Sequence, residues 1–218
     1  MAATSLTLYS YWRSSASYRV RMALNLKGLD YSLEAVHLVR NGGEQFAADY
    51  ARLNPQMLVP TLVDGQTIIT QSLAMIEYLE DRHPAPALLP ADVAGRARVR
   101  ALAQVIASDT HPLSNLRVLK YLTGQAGLNE EARLAWYRHW TITGLNAFEK
   151  LLDHPDTGRF CHGDKPTLAD CCLLPQVYNA DRFECDISSL TRIQQICDQL
   201  RALPAVQAAM PENQPDAA

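Results

Sequence analysis

A proline-dense segment, from His83 to Pro90, is the feature that most constrains the fold of this chain. Proline lacks a backbone N–H and fixes φ, so neither a helix nor an inner strand runs easily through such a segment. Before it, short β-rich runs alternate with helical patterns, whereas behind it the sequence carries long amphipathic patterns without β-rich runs. We therefore predict two domains, 1–83 and 91–218, joined by a linker over 84–90.

The first predicted domain combines short strands with short helices. Residues 18–26 place apolar side chains on one helical face and end just before Gly28, and the Asp64-Gly65 pair suits a tight hairpin turn. The predicted elements are strands at 6–11, 31–38, 59–63 and 66–69 and helices at 18–26, 44–53 and 71–82. This order, βαβαββα, is typical of a thioredoxin-like α/β module.

Pro60 stands at the start of the third predicted strand. A trans proline there would remove a ladder hydrogen bond, whereas a cis Val59–Pro60 peptide would leave the backbone of Val59 available to a ligand. The sequence favours the second arrangement but leaves open whether the bond is cis.

The second predicted domain is all-α. Its helical patterns are long and amphipathic, with a period near 3.6 residues. Thr167 and Asp170 match a capping box in which Asp replaces the usual Glu. The predicted helices are Gly95 to Leu122, Glu130 to Leu152, Leu168 to Phe183, Leu190 to Arg201 and Ala205 to Ala209.

Charge and hydropathy exclude several classes of protein. The 218 residues carry a formal net charge of -3 and no long Lys/Arg cluster, which argues against nucleic-acid binding. No window approaches the roughly 18 apolar residues of a membrane span, and the opening residues lack a basic region followed by an apolar one. We expect a cytoplasmic protein without membrane contacts.

The five cysteines all lie in the last third of the chain, between Cys161 and Cys197. They form neither a CxxC pair nor a Cys/His spacing typical of a metal site. We expect reduced, buried thiols that pack as small apolar residues, and no bound metal.

A serine-rich segment, Arg13-Ser14-Ser15-Ala16-Ser17, lies where the first strand leads into the first helix. Hydroxyls and free backbone N–H groups at a helix N-terminus favour an anion, and they stabilise a thiolate in particular. Taken alone, simple capping of the helix explains these serines equally well. Since residues 1–160 contain no cysteine, a sulfur reacting here must arrive with a cofactor, for which glutathione is the obvious candidate.

The segment Ser14 to Leu24, SSASYRVRMAL, resembles the zeta-class glutathione transferase signature SSCxWRVRIAL. Ala16 replaces the signature cysteine and Tyr18 the tryptophan, which leaves the side transferase and peroxidase activities of that class open. The resemblance spans essentially the whole chain and includes LNPQMLVPTLVDG, ITQSLAMIEYLED, LADCCLLPQVYNADRF and the terminal Gln214-Pro215-Asp216.

The resemblance implies a set of site residues. Ser14 is the expected thiolate-stabilising hydroxyl and Ser15 its catalytic neighbour; both line the helix end with Ala16, while Val59 offers backbone hydrogen bonds to the cysteinyl part of glutathione. The remaining implied glutathione contacts are Gln71 and Ser72 at the γ-glutamyl carboxylate, Gln45 at the glycyl end, and Asp109, His111 and Asn115 from the second domain.

The implied reaction is a glutathione-dependent cis-trans isomerisation of a maleyl keto-dicarboxylate. A thiolate that adds to the conjugated cis double bond makes it a single bond; rotation and expulsion of the thiolate then give the trans product, so glutathione is not consumed. Two substrate carboxylates call for cationic partners, and Arg13 and Arg182 are the candidates. A solvent-exposed Arg182 that pairs with Asp181 or another nearby acid is the alternative for that residue.

Three interpretations of the activity remain. The resemblance favours maleylacetoacetate as the substrate, in aromatic amino acid catabolism, and Ala16 and Tyr18 mildly favour maleylpyruvate. A general detoxifying transferase or peroxidase would instead consume glutathione. The resemblance also implies a homodimer, without indicating its interface.

Overall fold

A computed structural model of the chain describes residues 6–217. It divides into two compact units, one formed by the chain up to Leu88 together with Ala202–Ala218 and the other by Leu89–Arg201. The division thus falls inside the proline-dense linker, but residues 202–218 depart from the sequence prediction, which assigned them to the helical domain. No helix within residues 6–217 is long and apolar enough to cross a membrane.

The first unit is built on a four-stranded sheet in the order β2-β1-β3-β4. β1 pairs in parallel with β2 and antiparallel with β3, and β3 and β4 form the hairpin. The predicted thioredoxin-like order βαβαββα is confirmed. The elements are β1 Leu6–Ser10, α1 Ser15–Leu26, β2 Tyr31–Ala35, α2 Ala48–Leu53, β3 Thr61–Asp64, β4 Thr67–Thr70 and α3 Ser72–Arg82.

The core of this unit follows the apolar pattern of the sequence. Leu8 of β1 and Leu62 of β3 are fully buried in the centre of the sheet, and Val20 and Leu24 are on the buried face of α1. On α3, the side chains of Met75, Ile76 and Leu79 are buried. Their burial fixes α1 and α3 against the sheet, and so fixes the position of both helix N-termini.

The predicted helix at 44–53 is divided in the structure. Glu44–Phe46 form a 3-10 turn, and the extended conformation of Ala47, with ψ 141°, separates this turn from α2. Glu44 is held to the loop that follows β2, since its N–H donates to the His37 carbonyl at 2.8 Å and its carboxylate accepts the His37 N–H at 2.7 Å. These bonds set the turn apart from the helix that follows.

A buried ion pair closes the first unit where the linker leaves it. Lys27 Nζ lies 2.6 Å from Glu80 Oε2, and their side chains are 0% and 7% exposed. The ammonium also donates to the carbonyls of His83 and Pro86 at 2.8 and 2.9 Å. Glu80 in turn accepts the Leu88 N–H at 2.9 Å. All three protons of the Lys27 ammonium are therefore used: one pairs with Glu80, and two hold the backbone of the proline-dense segment.

The second unit consists of helices. α4 spans Val93–Gln104, α5 Leu116–Gly124, α6 Glu130–Leu151, α7 Leu168–Arg182 and α8 Thr191–Arg201. The capping box predicted at the start of α7 is present, with the Thr167 N–H donating to Asp170 Oδ2 at 2.8 Å. The last short helix, α9 Pro204–Ala209, packs on α1 and belongs to the first unit.

The prediction of one continuous helix from Gly95 to Leu122 is wrong. After α4 the backbone widens into a π-helical segment, Val105–Thr110, and then tightens into a 3-10 turn, His111–Ser114, before α5 begins. Pro112 lacks the N–H for a regular helix. Gly144 of α6 allows close approach, since a Cβ there would lie 2.0 Å from Thr110 Oγ1. Asp109 therefore lies near the end of the π-helical segment, and His111 is the first residue of the 3-10 turn.

All five cysteines are free and buried, as predicted. Burial raises the pKa of the Cys161 thiol and raises that of Cys185 to about 11. The Cys161 and Cys185 thiols are therefore protonated at neutral pH and are poor nucleophiles.

Replacing Lys27 with Met should destabilise the first unit. The substitution leaves the buried Glu80 carboxylate without its cation, so we expect the free energy of unfolding to fall by about 3–5 kcal/mol. Chemical denaturation followed by circular dichroism measures this loss.

The double variant Lys27→Met, Glu80→Gln should recover part of this stability, because the buried charge is gone and Gln still accepts the Leu88 N–H. The exposed Arg52–Asp49 pair provides the control, with side chains 73% and 91% exposed. Arg52→Met should change stability by less than about 1 kcal/mol. Equal losses for Lys27→Met and Arg52→Met would contradict the assignment.

Candidate active site

Ser14 forms the N-cap of α1 and lies in the turn that follows β1. Its backbone is extended, with φ −72° and ψ 119°, and its Oγ accepts the Ser17 N–H at 3.2 Å. Its own N–H donates to the Tyr11 carbonyl at 3.0 Å. Because the bond from Ser17 uses an oxygen lone pair, the Ser14 hydroxyl hydrogen is still available to an anion at the positive end of the helix.

The neighbours of Ser14 differ in exposure. Ser15 is buried, at 5% exposure, whereas Ser14 and Ala16 are half-buried and reach the surface of the turn. Of the two serines predicted as catalytic, Ser14 is therefore the better placed to meet a bound molecule. Ser15, the first residue of α1, has its side chain packed in the interior of the unit.

Val59 lies beside this turn in a cluster of buried apolar side chains. It packs with Tyr11, Val36 and Tyr50, and Trp12 lies against the same cluster. The Val59–Pro60 peptide is cis, as the sequence favoured. Neither the N–H nor the C=O of Val59 has a hydrogen-bond partner within residues 6–217, so a peptide-like ligand can pair with both.

Gln71 and Ser72 form the entrance to α3. Gln71 has a φ of 70°, a strained value for a residue with a side chain, and its Nε2 donates to Gln56 Oε1 at 2.8 Å. Ser72 is the first residue of the helix and is buried. Strain of this kind, at the N-terminus of a helix, is characteristic of functional sites.

Arg19 connects the two helix entrances. This α1 residue is 2% exposed, and its Nη1 donates to Ser72 Oγ at 3.3 Å. The guanidinium brings a full positive charge beneath the N-terminus of α3, where it favours a bound carboxylate. Arg19 was not among the residues predicted for the site; the available signal was a pair of arginines, Arg19 and Arg21, on a helix with an otherwise apolar pattern.

Gln45 is buried, at 5% exposure, in the 3-10 turn after β2. Its side chain folds over Gly43, where a Cβ would lie 2.7 Å from the Gln45 amide atoms. Gln45 Oε1 is buried and accepts no hydrogen bond within the described part of the chain. An incoming N–H donor would satisfy this oxygen.

Three predicted contacts lie close together in sequence in the second unit. Asn115 is the N-cap of α5, and its Nδ2 lies 3.5 Å from His111 Nε2. Its Oδ1 accepts the Arg117 N–H at 3.1 Å. Asp109 is exposed on the π-helical segment just before them. The segment therefore groups an acid, an imidazole and an amide within seven residues of sequence.

The two candidate arginines are held by aromatic rings. The Arg13 guanidinium lies 4.7 Å from the centre of the Trp12 ring in the first unit. In the second unit, Arg182 is exposed at the end of α7 and lies 4.9 Å from the Phe183 ring, which stacks on Tyr137 at 3.8 Å. A cation–π contact restrains the orientation of each guanidinium.

Asp181, the acid next to Arg182 in sequence, pairs with a different arginine. The carboxylate of Asp181 lies 3.5 Å from Arg201. Asp181 therefore has a partner of its own, and the acid next to Arg182 in sequence is engaged with α8.

Family models match both halves of the chain. Residues 8–87 match the model described as "Glutathione S-transferase, N-terminal domain", and residues 135–207 match "Glutathione S-transferase, C-terminal domain". The chain belongs to the glutathione S-transferase family. A relative from Vibrio cholerae, named "Probable maleylacetoacetate isomerase", is 54% identical over 98% of this chain and 99% of its own.

Solved structures place this glutathione S-transferase within the family. A bacterial maleyl pyruvate isomerase, described as a zeta-class glutathione S-transferase, has a TM-score of 0.94 and 46% identity over 97% of this chain and 100% of its own. A maleylacetoacetate isomerase from Methylobacterium extorquens, solved with malonate and glutathione, has a TM-score of 0.93 and 42% identity over 97% and 99%. The predicted zeta-class resemblance is confirmed.

The polar groups left unsatisfied in the first unit suit a peptide-like anion. Val59 offers one N–H and one C=O, Gln45 an orphan amide oxygen, and Ser14 a hydroxyl hydrogen. Glutathione carries the matching groups: backbone-type amides, an ammonium, two carboxylates and a thiol. The residues present therefore fit this tripeptide.

An Ala16→Cys substitution tests the electrostatics of the α1 N-terminus. Ala16 lies in the first turn of the helix and is half-buried. Because the positive helix end stabilises a thiolate, we expect the pKa of the new thiol to fall below the usual value of about 8.5. The pH dependence of alkylation by iodoacetamide measures this pKa, and the five buried native thiols give a low background.

Ala101→Cys is the matched control, because Ala101 is exposed inside α4 and away from a helix end. Its thiol should titrate near the usual value. If the thiol introduced by Ala16→Cys titrates at or above the pH of the control thiol, the helix end does not stabilise a thiolate.

Proposed function

We propose that this protein is a glutathione-dependent cis-trans isomerase of a maleyl keto-dicarboxylate, converting maleylacetoacetate to fumarylacetoacetate. The observation that carries the proposal is the geometry of Ser14, whose hydroxyl is held by Ser17 with its hydrogen available at the α1 N-terminus. The identity of 54% to a relative with that name supports it.

The glutathione site is proposed at the α1 and α3 N-termini. When bound, glutathione supplies the thiolate that adds reversibly to the cis double bond. Ser14 donates its hydroxyl hydrogen to that sulfur and lowers its pKa, while Val59 holds the cysteinyl backbone. The other proposed contacts are Ser15 and Ala16 at the same helix end, Gln71 and Ser72 at the γ-glutamyl carboxylate, Gln45 at the glycyl end, and Asp109, His111 and Asn115 of the second unit.

Arg13 and Arg182 are the proposed partners of the two substrate carboxylates. Each guanidinium rests on an aromatic ring, which restrains the orientation of its planar N–H fork. A fork of this geometry suits bidentate binding of a carboxylate. The Methylobacterium extorquens relative was solved with malonate, itself a dicarboxylate, which supports a site of this charge.

Maleylpyruvate is the second candidate substrate. It shares the cis double bond and the charged ends of maleylacetoacetate, and a maleyl pyruvate isomerase is among the most similar solved structures. Initial rates with the two acids, measured at equal glutathione concentration, distinguish them through kcat/KM.

We propose a cytoplasmic homodimer, as expected from the family resemblance. Analytical ultracentrifugation tests the dimer, and a sedimenting mass equal to one chain would contradict it.

The purified protein should isomerise maleylacetoacetate only when glutathione is present, and the total thiol concentration should stay constant during turnover. Product formation is followed by absorbance, and thiol by titration of samples taken from the same reaction. Consumption of glutathione with a chlorinated aromatic acceptor, in the absence of isomerisation, would contradict the proposal and indicate a detoxifying transferase.

Ser14→Ala and Arg182→Ala should affect different kinetic constants. Loss of a hydrogen bond to a charged sulfur should lower kcat by about 10- to 100-fold, since such bonds contribute roughly 1.5–3 kcal/mol. Loss of a carboxylate partner should mainly raise KM for the keto acid. Steady-state kinetics with saturating glutathione measures both constants.

Ser189→Ala and Arg52→Ala are the matched controls, because both residues are exposed and lie outside the proposed site. They should keep wild-type constants. Wild-type constants in Ser14→Ala and Arg182→Ala would refute the assigned roles of these two residues.

A further inference from the structure

Trp12, in the turn between β1 and α1, is held at both polar groups of its backbone. Its carbonyl accepts a hydrogen bond from Arg21 Nη2 at 2.9 Å. Its N–H donates to Asp216 Oδ2, also at 2.9 Å. Asp216 lies near the end of the chain and 204 residues away in sequence, yet it belongs to the same compact unit.

Arg21 is the buried half of this clamp. Its side chain is fully buried, its Nη1 donates to Ser10 Oγ at 3.1 Å, and its Nε donates to the Ala209 carbonyl at 3.1 Å. Burial lowers the pKa of Arg21 to about 10, so the guanidinium remains a cation at neutral pH. The single guanidinium of Arg21 thus hydrogen-bonds to the end of β1, to the turn that follows it and to α9.

Asp216 is delivered by a C-terminal segment that is itself anchored. Gln214 Nε2 donates to the carbonyls of Ala208 and Met210 at 2.9 and 2.8 Å, and Asn213 Nδ2 donates to that of Gln207 at 2.7 Å. The other carboxylate oxygen of Asp216 is buried and accepts no hydrogen bond within residues 6–217. Asp216 as a whole is half-buried, and its one hydrogen bond within the described residues, from the Trp12 N–H, is made by the oxygen that faces the turn.

The residue held in this way adjoins the catalytic turn. Trp12 is followed directly by Arg13, whose guanidinium lies over its ring, and Ser14 follows next. Ser14 donates its N–H to the carbonyl of Tyr11, on the other side of Trp12. A shift of the Trp12 backbone would therefore move both the hydroxyl of Ser14, proposed to stabilise the thiolate, and the guanidinium of Arg13, proposed to bind a substrate carboxylate.

We propose that Asp216 is a positioning residue for the isomerisation, acting through the Trp12 N–H to fix the turn that carries Arg13 and Ser14. The inference rests on the proposed function for its kinetic consequence. Its structural part, the restraint of the turn by the C-terminal segment, stands independently of any substrate.

Asp216→Ala, Asp216→Asn and Asn213→Ala form the test set. Asp216→Ala should lower kcat by about tenfold or more, because small misplacements of catalytic groups have effects of this size, while KM for glutathione stays within about twofold. Asp216→Asn keeps an oxygen that can accept the Trp12 N–H, so it should retain most of the turnover. Asn213→Ala removes a bond of the same segment that does not reach the turn, and it should behave as wild type.

Amide hydrogen exchange in the absence of ligands provides the second readout. Asp216→Ala should increase exchange in a peptide that covers residues 11–14, and Asn213→Ala should not. Unchanged exchange and turnover in Asp216→Ala would overturn the proposal, and so would an equal loss in Asn213→Ala, which would indicate general loosening of the segment. If exchange responds as expected but the wild type shows no isomerase activity, the proposed function fails and the restraint of the turn is retained.

Discussion

The hydrogen bond from the Ser17 N–H to Ser14 Oγ is the interaction on which the site depends. It starts α1 at the point where β1 ends, and it directs a hydroxyl toward the positive end of a helix. Val59, which precedes β3, lies beside the same turn because it packs in one apolar cluster with Tyr11. A capping bond of this kind is common to many helices. Here it marks a candidate site for a sulfur, because the N–H and C=O of Val59, unpaired within the described part of the chain, lie beside the same turn.

Two buried arginines on α1 extend this arrangement. Arg19 and Arg21 are almost fully buried, and each reaches a different part of the unit: Arg19 the N-terminus of α3 through Ser72, and Arg21 the turn before Ser14 and the carbonyl of Ala209. Buried charges need partners to be tolerated, so these contacts fix where α3 and α9 can lie. The helix that presents the site therefore also holds the elements that complete it.

Periodicity and turn chemistry were sufficient to predict the βαβαββα order, the helical second unit and the capping box at Asp170, because those signals are local. The π-helical segment at 105–110 was missed because its contact with Gly144, where a Cβ would lie 2.0 Å from Thr110 Oγ1, is distant in sequence and leaves no local pattern. The C-terminal segment was assigned to the other domain because its contacts, through the Ala205 and Ala209 carbonyls, are distant in sequence. Ser14, Val59 and Ser72 were selected through the family resemblance, whereas the orphan oxygen of Gln45 is visible only once the chain is folded.

The most direct measurement is a pH titration of glutathione bound to the wild-type protein, followed by the ultraviolet absorbance of the thiolate. The account predicts that the bound thiol ionises at a lower pH than the ordinary thiol value of about 8.5. Failure of glutathione to bind, or a bound thiol that titrates like the free one, would contradict a sulfur held ionised by Ser14.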